Sequence, residues 1–119
     1  MGRRRPALEK LSSYEAFWPF YVSQHLDPRN RLLHFLGVTL AIAALVASIL
    51  QSSYWLVAVP IAGYGFAWLG HFFAERNKPA TFTYPLWSLR GDLRMYRLMC
   101  LGRLGPEIAR ANLLFPARA

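Results

Sequence analysis

The sequence predicts an all-α integral membrane protein, a two-helix transmembrane hairpin with flanking interfacial helices. Three observations predict it. The chain of 119 residues is 55% hydrophobic and 15% aromatic, yet it carries a formal net charge of +8. Charge and apolarity are segregated: no charged residue occurs between Leu32 and Ala74. That stretch holds two apolar runs, Leu32 to Leu50 (19 residues) and Tyr54 to Phe73 (20 residues). A bilayer core needs roughly 20 apolar residues per helix. A soluble domain of this length exposes much of its surface and would have trouble hiding two such helices. The length suits one domain, divided as a basic N-terminal tail (1–11), a membrane domain (12–103) and a C-terminal tail (104–119).

In chain order, Arg3-Arg4-Arg5 reads as an anchor for anionic lipid, with no apolar core behind it to make a signal peptide. A first helix runs from about Ser12 to His25. Ser12 or Ser13 caps it, Glu15 sits near its positive end, and Pro19 interrupts it. Asp27-Pro28-Arg29-Asn30 is a turn in which Asp27 or Asn30 caps and Pro28 suits a first helical position. The first long helix starts near Asn30. Gly37, Ala41 and Ala44 form a small-residue stripe on it, and Ala58, Ala62, Gly63, Ala67 and Gly70 do so on the second. Such stripes let helix backbones approach closely, as a tight hairpin or as a homodimer seam. Glu75 to Pro85 is a shaped loop with two prolines. The last helix, from about Leu86 to Leu101, is amphipathic. Leu86, Leu89, Leu93, Tyr96 and Cys100 lie on one side, Arg90, Arg94 and Arg97 on another, and Gly102 and Gly105 end it. The remaining residues read as a poorly ordered tail.

The charges set a topology. All 14 Lys and Arg lie outside the hairpin, and the connecting Gln51-Ser52-Ser53 has none. The positive-inside tendency then puts both termini in the cytoplasm. The basic residues flank the apolar runs and follow no nucleic-acid-binding motif, so no nucleic acid is expected as a partner. Cys100 is the single cysteine, which excludes an intrachain disulfide, and it reads as a buried apolar side chain.

The candidate chemistry lies in the histidines, of which there are three. His34 is the third residue of the first apolar run, His71 is third from the end of the second, and His25 lies nine residues before His34. In an antiparallel pair His34 and His71 fall at matching depth, and the short turn can bring His25 to them. Neutral imidazoles suit Fe(II), Zn or Ni, and three of them leave a coordination position open. Glu75 is the first candidate for a carboxylate ligand, ahead of Asp92 and Asp27. The structural alternative is histidines that hydrogen-bond across the hairpin or reach the interface. Arg29, Arg31, Arg76 and Lys78 surround the same level. They can hold an anionic headgroup or a fatty carboxylate, or simply touch phospholipid. Tyr64, Trp68, Phe72 and Phe73 read as packing or as the lining of an acyl-chain cavity.

Two blocks carry a family resemblance. Phe20-Tyr21-Val22-Ser23-Gln24-His25 with Asn30-Arg31-Leu32-Leu33-His34-Phe35-Leu36-Gly37 resembles the opening signature of the fungal 2-hydroxy fatty acid dioxygenase-like (Mpo1-like) family. Gly70-His71-Phe72-Phe73-Ala74-Glu75-Arg76-Asn77-Lys78-Pro79-Ala80 resembles its second signature. Tyr84 to Asp92 is similar to its short bacterial branch. The resemblance spans about Tyr14 to Gly102. It implies an Fe(II)-dependent dioxygenase that shortens 2-hydroxy fatty acids by one carbon. It implies His25, His34 and His71 as iron ligands and Glu75 as a further catalytic position. Arg31, Arg76 and Lys78 become candidates for binding a fatty-acid-like amphiphile. The implied location is the bacterial inner membrane, multi-pass, with membrane lipid as a partner and a homodimer possible in principle. Two other readings remain: a non-enzymatic membrane protein that binds lipid or a partner helix, and a zinc-dependent lipid hydrolase. The chain is shorter than the fungal enzymes and has fewer histidines.

Overall fold

The computed structural model describes residues 11–116. Arg3-Arg4-Arg5 and most of the N-terminal tail lie outside them. The described residues form five α-helices: α1 (Tyr14–Ser23), α2 (Pro28–Leu50), α3 (Ala58–Leu69), α4 (Pro85–Leu101) and α5 (Gly105–Leu114). A 3-10 turn (Ser53–Val57) precedes α3, a π-helical turn (Gly70–Glu75) follows it, and a second 3-10 turn (Ala80–Phe82) leads into α4.

Local chemistry sets most boundaries. The Ser13 side chain accepts the Ala16 N–H at 3.1 Å and starts α1. Asp27 accepts the Arg29 N–H at 2.8 Å, and Pro28 opens α2 as the first helical residue. Gly102 stops α4 in the left-handed region (φ 68°), where glycine carries no Cβ penalty. The tail expected after Gly102 is instead α5. Pro106 stands in its first turn, and Ala111 is fully buried. The Trp18 Nε1–H donates to Glu107 Oε1 at 2.7 Å, tying α5 to α1.

The core is built by the helices that flank the long pair. Phe17, Trp18, Tyr21 and Val22 of α1 are at most 1% exposed, and they pack with Met95 of α4 and with Leu104 and Ala111. Phe17 packs its ring against Tyr84 and Trp87 at 5.2 and 5.7 Å between centroids. Rings at these distances add attraction beyond the area they bury.

This core corrects the expected fold class. A transmembrane hairpin with flanking interfacial helices would leave α1 and α4 lying against lipid. Here α1 packs against α5 and α4, and together they enclose the aromatic core of an all-α globular fold, in which α2 and α3 are one packed pair. The multi-pass inner-membrane location expected with that hairpin is corrected with it. The Pro28–Leu50 and Ser53–Glu75 segments are long and apolar enough to cross a membrane, which for two helices is weak evidence of a span. They leave large apolar side chains exposed along their length, among them Leu32, Leu40, Leu45 and Leu50, then Tyr54, Ile61 and Phe73. One smaller expectation changes as well. Cys100 is exposed rather than buried. The face of α4 turned to the core is Ser88, Gly91 and Met95, while Leu86, Leu89 and Leu93 stay largely exposed.

The small-residue stripe does bring α2 and α3 together. A Cβ on Gly37 would stand 2.9 Å from Ala62 O and from Phe66 Cβ. At Gly70 the approach is closer still, and an added Cβ would overlap the Asn30 side chain. Asn30 is fully buried. Gly70→Ala is therefore expected to destabilise the fold by about 1–3 kcal/mol, the usual range for overpacking. A lower urea midpoint with an unchanged slope is the readout. An unchanged midpoint would show that Asn30 moves freely.

Candidate metal centre

Each histidine arrives on a different element, and each is anchored by a group that can only accept. His25 follows the last turn of α1, and its Nδ1 lies 2.6 Å from the Tyr21 carbonyl oxygen. His34 sits in the second turn of α2, with its Nδ1 3.0 Å from the Asn30 carbonyl oxygen. His71 lies in the π-helical turn, with its Nδ1 2.7 Å from Asn77 Oδ1. The Asn77 amide orientation follows from its other bonds: Nδ2 donates to Gln24 O at 3.2 Å and to Gln24 Oε1 at 3.1 Å. Its Oδ1 is thus the acceptor that faces His71. Carbonyl oxygens carry no proton, so every Nδ1 must donate, and every Nε2 is left with a bare lone pair.

Those lone pairs converge. The ring centroids are 4.4 to 5.0 Å apart, and each pair of rings is close to perpendicular. One ligand nitrogen from each of the three lies within 4.8 Å of the others. His25 Nε2 and His34 Nε2 are 3.1 Å apart. With both Nδ1 atoms protonated, no neutral tautomer places a hydrogen between them. Two facing lone pairs at this distance need a cation. A shared proton is disfavoured near neutral pH. Burial, reinforced by His34 and His71, holds His25 well below the ordinary histidine range. Burial, then His71, brings His34 down to about 4. Burial lowers His71 too, against the opposing Asn77 bond. Three neutral imidazoles with outward-donating Nδ1–H groups are the donor set of a histidine metal site with its outer shell in place.

The surroundings are partly polar. A cavity of about 10 Å³ touches all three histidines together with Tyr21, Trp68, Ser88 and Asp92. That is room for about one water-sized group. Trp68 Nε1 and Ser88 Oγ are buried without a hydrogen-bond partner. The Tyr21 ring stacks on His25 at 4.1 Å, and its hydroxyl donates to Asp92 Oδ1. Burial raises Asp92 to about 7, against the opposing Tyr21 bond. A second, larger cavity of about 330 Å³ begins at His34 and Asp92. It runs between Val38, Ala41 and Leu45 of α2, Pro60 and Gly63 of α3, and Leu89 and Leu93 of α4.

The other expected site residues fall around this centre. Glu75 Oε1 accepts the Asp27 N–H at the start of α2 and lies outside the three-histidine cluster. Arg31 Nη1 donates to the His25 and Leu26 carbonyls at 2.9 and 2.8 Å, clamping the turn that carries His25. Arg76 and Lys78 line an open depression with Phe72, Phe73 and Asn77. Arg76 also adopts a left-handed backbone (φ 58°) that ends the π-helical turn. Asp27 pairs with Arg29 at 2.8 Å, which lowers its pKa to about 2. Of the acyl-cavity candidates, Tyr64 lines the larger cavity and Trp68 the smaller one, while Phe72 and Phe73 line the open depression. Sequence reading passed over Tyr21, Asn77 and Ser88. Only Tyr21 carried a signal, its position one helical turn before His25.

These features define a class: an all-α protein with a buried three-histidine centre able to hold one metal ion. The family model described as "Mpo1-like: 2-hydroxy-palmitic acid dioxygenase Mpo1-like" matches residues 11–104, from the start of α1 to the end of α4, and the chain belongs to that family. No curated protein and no solved structure matches the chain.

Proposed function

We propose that the protein is an Fe(II)-dependent dioxygenase that shortens 2-hydroxy fatty acids by one carbon. The observation that carries the reading is the pair of bare Nε2 lone pairs facing each other at 3.1 Å beside a third buried histidine. Family membership supports the choice of a dioxygenase reaction and of substrate. The reaction balances as a 2-hydroxy acid plus dioxygen giving the acid one carbon shorter, carbon dioxide and water. Iron, when bound, supplies the redox chemistry that breaks the bond between C1 and C2.

The chain's own residues do the rest. His25, His34 and His71 hold the metal. The Tyr21 and Asn30 carbonyls and Asn77 fix the ring orientations, and such partners matter 10–100-fold to affinity at about the usual scale. The apolar cavity takes the hydrocarbon tail. It follows α2 from His34 to Leu45, roughly 16 Å at about 1.5 Å per residue. In this reading Arg31 and Glu75 are positioning residues, acting through the His25 carbonyl and the Asp27 amide. Arg76 and Lys78 form a separate basic surface, where an anionic head first meets the protein.

The test is oxygen uptake by anaerobically purified, iron-loaded protein given 2-hydroxypalmitate. Stoichiometric oxygen consumption with release of the chain one carbon shorter is the expected result. Native zinc with oxygen-independent turnover would replace the reading with a hydrolase. No turnover with iron bound would remove the catalytic assignment.

A further inference from the structure

The apolar cavity ends on a side chain that the histidine cluster does not use. Asp92 stands in the wall of both the small cavity at the histidines and the larger apolar one. Its carboxylate is not among the ligand atoms that converge with the three histidines. The Tyr21 hydroxyl donates to Oδ1. Oδ2 takes no hydrogen bond from any described residue. Leu89 and Leu93 beside it on α4 and Val38 and Ala41 across the larger cavity offer no donor, and Ser88 Oγ and Trp68 Nε1, which share the small cavity with it, make no hydrogen bond to it. His34 stands at the same end.

An unmet carboxylate oxygen in such a place has definite chemistry. It accepts hydrogen bonds, so it complements a hydroxyl. It meets the head end of whatever lies in the cavity, next to the metal centre. A site built to hydrogen-bond a substrate hydroxyl rejects the analogue that lacks it, because an acceptor that the bound chain covers from water is then left unpaired.

Resting on the reading of the cavity as the seat of a fatty chain, we propose that Asp92 is a specificity-determining residue. Its free oxygen accepts the 2-hydroxyl of the bound acid and so selects hydroxylated chains over unsubstituted ones. Tyr21 holds the other oxygen and fixes the direction in which the free one points. The stack of Tyr21 on His25 ties that direction to the metal centre.

The test is displacement of a fluorescent fatty acid from iron-loaded protein without oxygen, so that binding is read apart from turnover. The competitors are 2-hydroxypalmitate, palmitate and 2-methoxypalmitate, the last lacking the hydroxyl hydrogen. At alkaline pH, where Asp92 is ionised, the parent is expected to bind the hydroxylated chain about tenfold or more tighter than the other two, the scale of one hydrogen bond to a charged group. In the double variant Tyr21→Phe with Asp92→Leu, both partners become apolar and no orphan hydroxyl remains. It is expected to keep its iron and to bind the three chains alike. A parent without preference overturns the proposal, whatever the variant does. So does a variant that keeps the preference, or one that loses iron and thereby makes Asp92 a servant of the metal. If the parent binds no fatty chain at all, the reading of the cavity itself fails and takes the proposal with it.

Discussion

Substituting His34 by alanine yields a protein that fails to retain iron at concentrations that saturate the parent. Two imidazoles remain, and the closest nitrogen pair, 3.1 Å across, is lost. Removing an outer-shell partner of a metal ligand costs about 10–100-fold in affinity, so removing the ligand itself costs more than about 100-fold. His25→Ala and His71→Ala follow the same expectation, because all three nitrogens converge on one point. Metal content after dialysis is the first readout. Thermal melting is the second. A ion that binds only the folded state raises the parent's melting temperature, and the rise should vanish in each variant. The metal-free comparison guards against simple misfolding, since a folded variant melts cooperatively with or without the ion. A metal-linked rise that survives in two of the three variants would move the site elsewhere.

Acid should destabilise the metal-free parent relative to His34→Gln by about 3 kcal/mol between pH 7 and pH 4. His34 titrates at about 4 in the fold, against an ordinary value of 6.5 when unfolded. In that window the unfolded chain binds the proton that the fold refuses. Stability from this residue is therefore complete above about 6.5 and is lost as pH falls toward 4. Each pKa unit corresponds to about 1.4 kcal/mol, which sets the size of the effect. His25 and His71 shift in the same direction and steepen the fall in both proteins. Asp92 works the other way. Its pKa is raised to about 7, so the folded form holds a proton in the same window and gains stability as pH falls. Because Asp92 is present in both proteins, its contribution drops out of the difference. Urea unfolding of parent and variant at several pH values measures the gap. A gap that stays constant from pH 7 to pH 4 would mean that His34 is charged in the fold, contrary to its burial.

How much of this was legible in the chain can be judged residue by residue. The convergence of His25, His34 and His71 followed from helix geometry: two antiparallel runs with histidines at mirror positions and a short turn to the third. Asp27, Pro28, Ser13 and Gly102 acted as their local chemistry dictates. Where a feature depends on neighbours far along the chain, the sequence was silent or misleading. The face of α4 is an example. Its leucines marked one apolar side, and nothing in the pattern singled out Ser88, Gly91 and Met95, which turn inward where Tyr21 crosses α4 so closely that a Cβ on Gly91 would stand 3.0 Å from the ring. Asn77 looked like any loop residue, and only the folded loop sets its amide between His71 and Gln24. α5 was missed because its short amphipathic pattern becomes decisive only against Trp18.

The sequence by itself determined α1 to α4, the caps of α1 and α2 and the three histidines as a candidate donor set, since these rest on periodicity and on contacts within a turn or two. Only the tertiary structure decided the fold class, the neutral inward-facing state of the histidines and the place of Asp92. Hydropathy reports that a segment prefers apolar surroundings and does not say which chain elements supply them. Tautomer and direction, likewise, are set by acceptors such as the Asn77 amide, 53 positions from its Gln24 partner, whose arrival no local pattern encodes.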